Sequence, residues 1–262
     1  MSTPTQPQVH SALETLATSG RIARITIDHP ARLNVLNSDL ILQLTDAMSA
    51  LESDQELRCI VLSGKGTRAF IGGADIREMV DLDTSTASRF ITHLHNACAA
   101  IRRIPVPVIA RIQGYCLGAG LEVAASCDLR VASDDATFGM PEVKLGLPSV
   151  IEAALLPRLI GAGKARQLVF TGETIPATEA ERIGLVERVV AASTLDSAVD
   201  QWANAIAAMG PRAIRLQKAL ACRWDTEPLD DAIRAGIGSF ESAYETDEPR
   251  RLMHAFLNRK RP

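Results

Sequence analysis

A chain of 262 residues with 47% hydrophobic and 23% charged side chains has the composition of a globular protein with room for a substantial core. Its 28 basic and 31 acidic residues leave a net charge of −3. That balance excludes a dedicated nucleic-acid binder, and no apolar run in the sequence approaches the length of a membrane span. The cysteines Cys59, Cys98, Cys116, Cys127 and Cys222 form no C-x-x-C pair, and His93 and His95 fall on different faces of any helix. Free thiols, no metal and a cytoplasmic location are therefore expected, the more so because the first residues lack the basic start and apolar stretch of a signal peptide.

Residues 1–9, with Pro4 and Pro7 among polar side chains, read as a flexible tail. Residues 21–28 alternate as a strand that His29-Pro30 ends. Ser38 reads as the N-cap of a helix reaching about residue 52, with Leu40, Leu42, Leu44, Met48 and Leu51 on one broad buried face. An apolar strand at 58–63 precedes a glycine-rich segment, in which Phe70-Ile71-Gly72-Gly73-Ala74-Asp75 leads into a helix at Ile76. Backbone flanked by glycine at a helix entry can present the Ala74 N–H to a ligand. From 84 to 103, Phe90, Ile91, Leu94, Cys98 and Ile101 repeat at helical spacing, Pro105 stops the helix, and 106–113 is the next strand.

That strand feeds Gly114-Tyr115-Cys116-Leu117-Gly118-Ala119-Gly120-Leu121-Glu122, a glycine turn opening into a small-residue helix. The helix start is nearly bare backbone, so its free N–H groups and the positive end of its dipole can receive an anionic oxygen. Ala119 and Glu122 are three residues apart and share a face. A donor for developing negative charge beside a proton-transfer group suits enolate chemistry, although the same glycines also suit a plain turn. The G-x-x-x-G-x-G spacing, with no Lys-Ser or Lys-Thr pair after it, is neither a dinucleotide fingerprint nor a phosphate loop.

Residues 128–132 return as a strand, Ser133-Asp134-Asp135 turns, and Thr137-Phe138-Gly139-Met140-Pro141-Glu142 follows. A helix of about ten residues advances ~15 Å, and a five-residue strand with a turn covers a similar distance back. This return can bring Glu142 beside Glu122; a solvated loop acid is the alternative. Alternating strands and helices make residues 10–195 an α/β core. Beyond residue 149 the pattern is mainly helical, with one strand at 186–190. The amphipathic helices at 197–209, 211–222 and 229–244 form a C-terminal helical region, 196–262, that suits either oligomerisation or packing on the chain's own core.

These motifs together resemble those of the enoyl-CoA hydratase/isomerase, or crotonase, superfamily. Arg32-Leu33-Asn34-Val35-Leu36-Asn37 resembles the family's R-x-N-A-L-N type motif, and Phe70 to Met79 its F-x-x-G-A-D-I-x-E-M loop. The stretch ending at Glu122 resembles G-x-x-x-G-x-G-x-E, and the one ending at Glu142 resembles F-x-x-P-E. Thr171-Gly172-Glu173, Ala180 and Gly184-Leu185-Val186 resemble the later T-G-E…A…G-L-V run. One departure stands out. Many hydratases carry P-G-A-G-G-T after the second glutamate, where this chain has Pro148-Ser149-Val150-Ile151-Glu152-Ala153-Ala154. Glu152 is expected as a solvated residue of a first helical turn rather than as a third polar group facing the substrate.

The resemblance implies a crotonase-like spiral of ββα turns followed by a helical oligomerisation region, assembled as a homotrimer or a dimer of trimers. It implies an acyl-CoA substrate, with coenzyme A as part of that substrate rather than a separate cofactor. The backbone N–H groups of Ala74 and Ala119 would form the oxyanion hole, and Glu122 and Glu142 the acid/base pair. Arg32, Gly73, Asp75, Ile76, Arg77, Gly118 and Lys260 would contact substrate or coenzyme A, although the basic run around Lys260 also reads as a solvated helix end. Two acids favour hydration of a 2-enoyl-CoA. An isomerase or other enolate reaction, and a non-catalytic CoA-binding assembly protein, are the alternatives.

Overall fold

The computed structural model describes residues 6–16 and 20–258. The chain starts with β1 (Gln8–Thr15) and β2 (Arg21–Asp28), then α1 (Ser38–Leu51), β3 (Leu57–Gly64) and β4 (Ala69–Ile71). It continues with α2 (Ile76–Met79), α3 (Thr84–Arg103), β5 (Val108–Ile112), β6 (Tyr115–Leu117), α4 (Ala119–Ser126), β7 (Leu129–Ser133) and β8 (Thr137–Gly139). After two 3-10 turns come α5 (Leu156–Thr171), β9 (Thr174–Pro176), α6 (Ala177–Arg182) and β10 (Arg188–Val190). Four helices complete the chain: α7 (Leu195–Ala207), α8 (Pro211–Thr226), α9 (Leu229–Ala243) and α10 (Glu248–Leu257).

The described residues form two sheets. The larger has the order β1-β2-β3-β5-β7-β10 and is parallel from β2 to β10; the smaller has the order β4-β6-β8-β9, with β4, β6 and β8 parallel. From β3 to β8 each turn of chain lays one strand in the large sheet and one in the small sheet before passing into a helix or 3-10 turn. This is the ββα spiral.

The central strands β3 and β5 of the large sheet are buried on both faces, which is why β3 carries the continuous apolar stretch Cys59-Ile60-Val61-Leu62. Alternation then sends Ile60 and Leu62 into the main core, and Cys59 and Val61 into a second core with Leu195, Val199 and Ala203 of α7. Helix α7, expected with the C-terminal region, thus closes the outer face of the sheet. Helix α8 is tied to the same body by Lys218, whose Nζ donates to both Asp128 carboxylate oxygens at 2.5 Å.

Several elements differ from expectation in bounds. Gln8 and Val9, expected in the tail, belong to β1, which pairs antiparallel with β2 along its whole length. The N-cap of α1 is Asn37 rather than Ser38: its side chain accepts the Leu40 N–H at 2.9 Å. The predicted helix at 84–103 matches α3 residue for residue, and Asp83 caps it with a full capping box. All five cysteines are free and four are buried. Among the described residues no helix is long and apolar enough to cross a membrane.

Candidate active site

The small sheet organises the site because β4, β6 and β8 run parallel and deliver three loops to one edge. After β4, Gly72 N–H donates to Leu33 O at 2.8 Å, Leu36 N–H to Gly73 O at 2.9 Å and Asp75 N–H to Leu36 O at 2.8 Å. Residues 73 and 75 thus spend their inward-facing groups on Leu36. In this strand-like bridge Ala74 alternates with them, so its own N–H faces the other way.

After β6 the chain enters α4 at once. Gly118 O accepts the N–H groups of Leu121 and Glu122 at 2.8 and 3.0 Å, leaving Ala119, the first helical residue, with no acceptor in its own helix. The helix start presses against β4: a Cβ at Gly120 would stand 2.1 Å from Ile71 O, so only glycine permits the approach. After β8, Pro141 and Glu142 open a 3-10 turn (Glu142–Leu145).

Glu122 is 4% exposed, and its Oε1 accepts the Ala153 N–H at 3.2 Å. Burial, reinforced by the charges of Glu142 and Glu152 and opposed by the Ala153 hydrogen bond, pushes its carboxyl up to about 8. Glu142 is half-buried, and its Oε2 accepts the Ser149 hydroxyl at 2.7 Å. Burial above all therefore keeps a proton on Glu122 near neutral pH.

Both glutamates line a cavity of about 490 Å³ together with Gly73, Ala74, Gly118 and Ala119. Apart from Ser88 its remaining wall is apolar, including Met79 and Leu82, then Phe90, Ile91 and Leu94 from α3, and Leu145, Leu147 and Val150 from the chain after Glu142. Backbone donors, two acids and an apolar continuation form a site for a ligand with a polar reacting end and a greasy tail.

The comparisons with known proteins agree with that chemistry. A profile described as enoyl-CoA hydratase/isomerase matches residues 17–262. The short-chain-enoyl-CoA hydratase of Clostridium acetobutylicum is 36% identical over 247 residues, covering 94% of this chain and 95% of that protein. This chain belongs to the enoyl-CoA hydratase/isomerase family. The crotonyl-CoA hydratase of Syntrophomonas wolfei is also 36% identical, with 92% and 93% covered. An enoyl-CoA hydratase structure from Bacillus anthracis superposes with a TM-score of 0.90 at 29% identity, covering 96% of this chain and 97% of that one.

In this member of the enoyl-CoA hydratase/isomerase family the residues picked out by the sequence divide into two groups. Glu122, Glu142, Ala74, Ala119, Gly73, Gly118 and Ile76 all line the cavity. Arg32, Asp75 and Arg77 do not. Asp75 is buried, accepts Arg32 Nη2 at 2.7 Å and caps α2 by accepting Arg77 N–H at 3.0 Å, so it braces the loop that carries Ala74. The Arg77 side chain is exposed. Lys260 lies outside the described residues.

Sequence reasoning missed Ser149, His95 and the Ala153 N–H, and it misplaced Glu152. That side chain is 3% exposed rather than solvated, and its Oε1 lies 2.9 Å from His95 Nδ1. The reason is local: residues 151–155 form a 3-10 turn packed against α4, and its first residue, Ile151, takes a positive φ that turns the next side chain inward. Only the departure from the glycine-rich family segment signalled that something distinct happens there.

Proposed function

We propose that this protein is an enoyl-CoA hydratase, adding water reversibly across the 2,3 double bond of a 2-enoyl-CoA. The observation that carries the reading is the meeting of Glu122, Glu142 and the Ala74 and Ala119 backbone in one cavity with an apolar extension. The thioester oxygen takes the two free N–H groups, whose hydrogen bonds strengthen as it becomes an enolate oxygen; one such donor is worth about 3–4 kcal/mol. That polarisation makes the β-carbon electrophilic.

Water held between the two glutamates is the nucleophile. Its oxygen bonds to the β-carbon while the ionised member of the pair takes its proton, and the π electrons move onto the enolate. The protonated member then delivers a proton to the α-carbon, giving a 3-hydroxyacyl-CoA and leaving the pair still holding one proton, now on the other acid. Each transfer contributes about 10²- to 10⁴-fold. The reaction calls on no group beyond the substrate's own thioester, so no separate cofactor enters it. Arg32, held by Asp75 next to Ala74, and Arg77 of α2 are, together with Lys260, the cations we assign to the coenzyme A moiety.

A homotrimer, alone or as a dimer of trimers, is the assembly we infer, with the C-terminal helices as its contact region. On α9 and its C-cap, Leu229, Ile233, Ile237, Phe240 and Tyr244 recur at helical spacing and are all exposed, an apolar stripe that a second copy would cover. Five free thiols suit a reducing compartment, and we place the enzyme in the cytoplasm.

The test is hydration of crotonyl-CoA followed by loss of the conjugated thioester absorbance. The expected result is clear turnover by the parent and a loss of about 10²- to 10⁴-fold in Glu142→Gln. Migration of a 3,4 double bond into conjugation without hydration would mark an isomerase, and binding without turnover of any enoyl-CoA would mark a non-catalytic protein.

A further inference from the structure

The chain makes a costly turn next to Glu122. Ile151 has φ +39, in a left-handed region that a β-branched residue enters only under strain and holds only when its surroundings fix it there. The two residues that follow show what the turn achieves. Glu152 points inward to His95 on α3, and Ala153 donates its N–H to Glu122. The second Glu152 oxygen, Oε2, is buried with no hydrogen-bond partner among the described residues. A carboxyl group buried with one oxygen unpaired is itself destabilising, so neither the strain nor the burial is accounted for by fold stability.

We propose that Glu152 and His95 are a positioning pair for Glu122: they clamp the 151–155 turn between α3 and α4, hold the Ala153 N–H on the Glu122 carboxyl, and set a third carboxylate charge facing it. The two elements of the turn oppose each other at Glu122, the N–H favouring the ionised form and the Glu152 charge favouring the protonated one. The pair's outer member, His95, has a half-exposed side chain, so this arrangement reaches from solvent to the site.

The other groups around Glu122 leave this role to Glu152. Glu142 faces it from the 3-10 turn after β8. Helix α3 brings Cys98, whose thiol burial and then Glu152 push well up, so it stays neutral, with Cys127 beside it at the end of α4. Strands β4 and β6 bring no charged side chain, and the Cys116 thiol of β6 is committed to Gly120 O. Burial of Glu122 is the largest influence on its proton, yet burial alone cannot be altered by one neighbouring substitution that keeps volume. Removing the Glu152 charge can.

The functional part of the proposal rests on the hydratase reading, so the experiment has two readouts. One is the infrared carbonyl stretch of protonated Glu122, identified by its loss in Glu122→Gln and titrated in the folded, full-length protein; the other is the pH profile of crotonyl-CoA hydration. In Glu152→Gln, which keeps the volume and a hydrogen-bonding head, the Glu122 titration is expected to move down by about one pH unit. The alkaline limb of kcat/KM moves with it, kcat falls about tenfold and KM changes by less than about threefold. In His95→Gln, which leaves the Glu152 charge without its imidazole, the Glu122 titration is expected to move up.

Unmoved titrations in both variants, with only the melting temperature lowered, would show a purely structural link and overturn the proposal. Should Glu152→Gln fail to fold, the His95→Gln titration decides alone on the same criterion. An inactive parent would refute the hydratase reading instead, while the infrared titration would still support or overturn the action of Glu152 on Glu122.

Discussion

The Glu142 carboxylate lies directly over Gly118: a Cβ added to Gly118 would stand 2.5 Å from Glu142 Oε1. Gly118 also has φ +51 and ψ −119, a conformation essentially confined to glycine. One residue therefore turns the chain from β6 into α4, exposes the Ala119 N–H and leaves room for the second acid. Gly118→Ala should displace both functional groups at once. A loss of about 10²-fold in kcat/KM for crotonyl-CoA is expected, with the far-UV circular dichroism spectrum retained. Activity within about threefold of the parent would show that Glu142 does not work from this position.

Ser149 gives a gentler handle on the same acid. Its hydroxyl donates to Glu142 Oε2 at 2.7 Å, a hydrogen bond to an acid that has no other side-chain donor among the described residues. Such bonds to a charged group are worth about 1.5–3 kcal/mol, so Ser149→Ala should lower kcat roughly 10- to 100-fold with little change in KM. Ser149→Thr, which restores the hydroxyl, should recover most of the loss. Equal defects in both variants would point to the backbone of this loop instead.

The sequence made the long elements and the two acids legible because both leave a strong local signature. The 20 residues of α3 carry a clear period and a capping Asp83, and β3 carries the apolar stretch Cys59-Ile60-Val61-Leu62. The short strands β4 and β6 span three residues each, too few to show a period, and they read as glycine-rich loop. Yet with β8 they build the small sheet that brings Ala74, Ala119 and Glu142 to one cavity. What no local pattern could reveal is chemistry made by distant segments: His95 meets Glu152 across 57 residues, and Ala153 meets Glu122 across 31. An acid beside the strained Ile151 reads as solvated until α3 is placed over it.

Glu122 should also leave a mark on stability. Its carboxyl titrates near 4.5 in an unfolded chain and about 8 in the folded one. Below pH 4.5 both states hold the proton, and the group contributes no pH dependence. Between those values the unfolded chain releases the proton while the folded protein keeps it, so the unfolded state binds fewer protons and stability falls as pH rises. Above about pH 8 the dependence flattens. The full cost is of order several kcal/mol, since each unit of difference is worth about 1.4 kcal/mol. Glu122→Gln removes the titration. Its melting temperature should therefore exceed that of the parent by a margin that widens from pH 5 to pH 8, while its hydratase activity is lost. Parallel melting curves across that range would show that the buried carboxyl is not held protonated.

The C-terminal stripe offers a prediction independent of the chemistry. Ile237 and Phe240 of α9 are 70% and 69% exposed, and Phe240 packs its ring 5.4 Å from that of Tyr244, so the apolar face is ordered yet uncovered. Leaving several large side chains on one helix face in water forfeits about 1.5–3 kcal/mol for each that burial would otherwise yield. Self-association through the same face recovers that free energy without any further partner, which is why a homo-oligomer is its simplest occupant. In sedimentation velocity the parent should run as a trimer or hexamer, and Ile237→Asp combined with Phe240→Asp should shift it to a monomer. The cavity is lined from β4 through the segment after Glu142 and includes no residue of α9, so a folded monomer should keep the infrared signature of protonated Glu122. A parent already monomeric at micromolar concentration would refute the assembly, and an unchanged oligomer in the double variant would move its interface to another face.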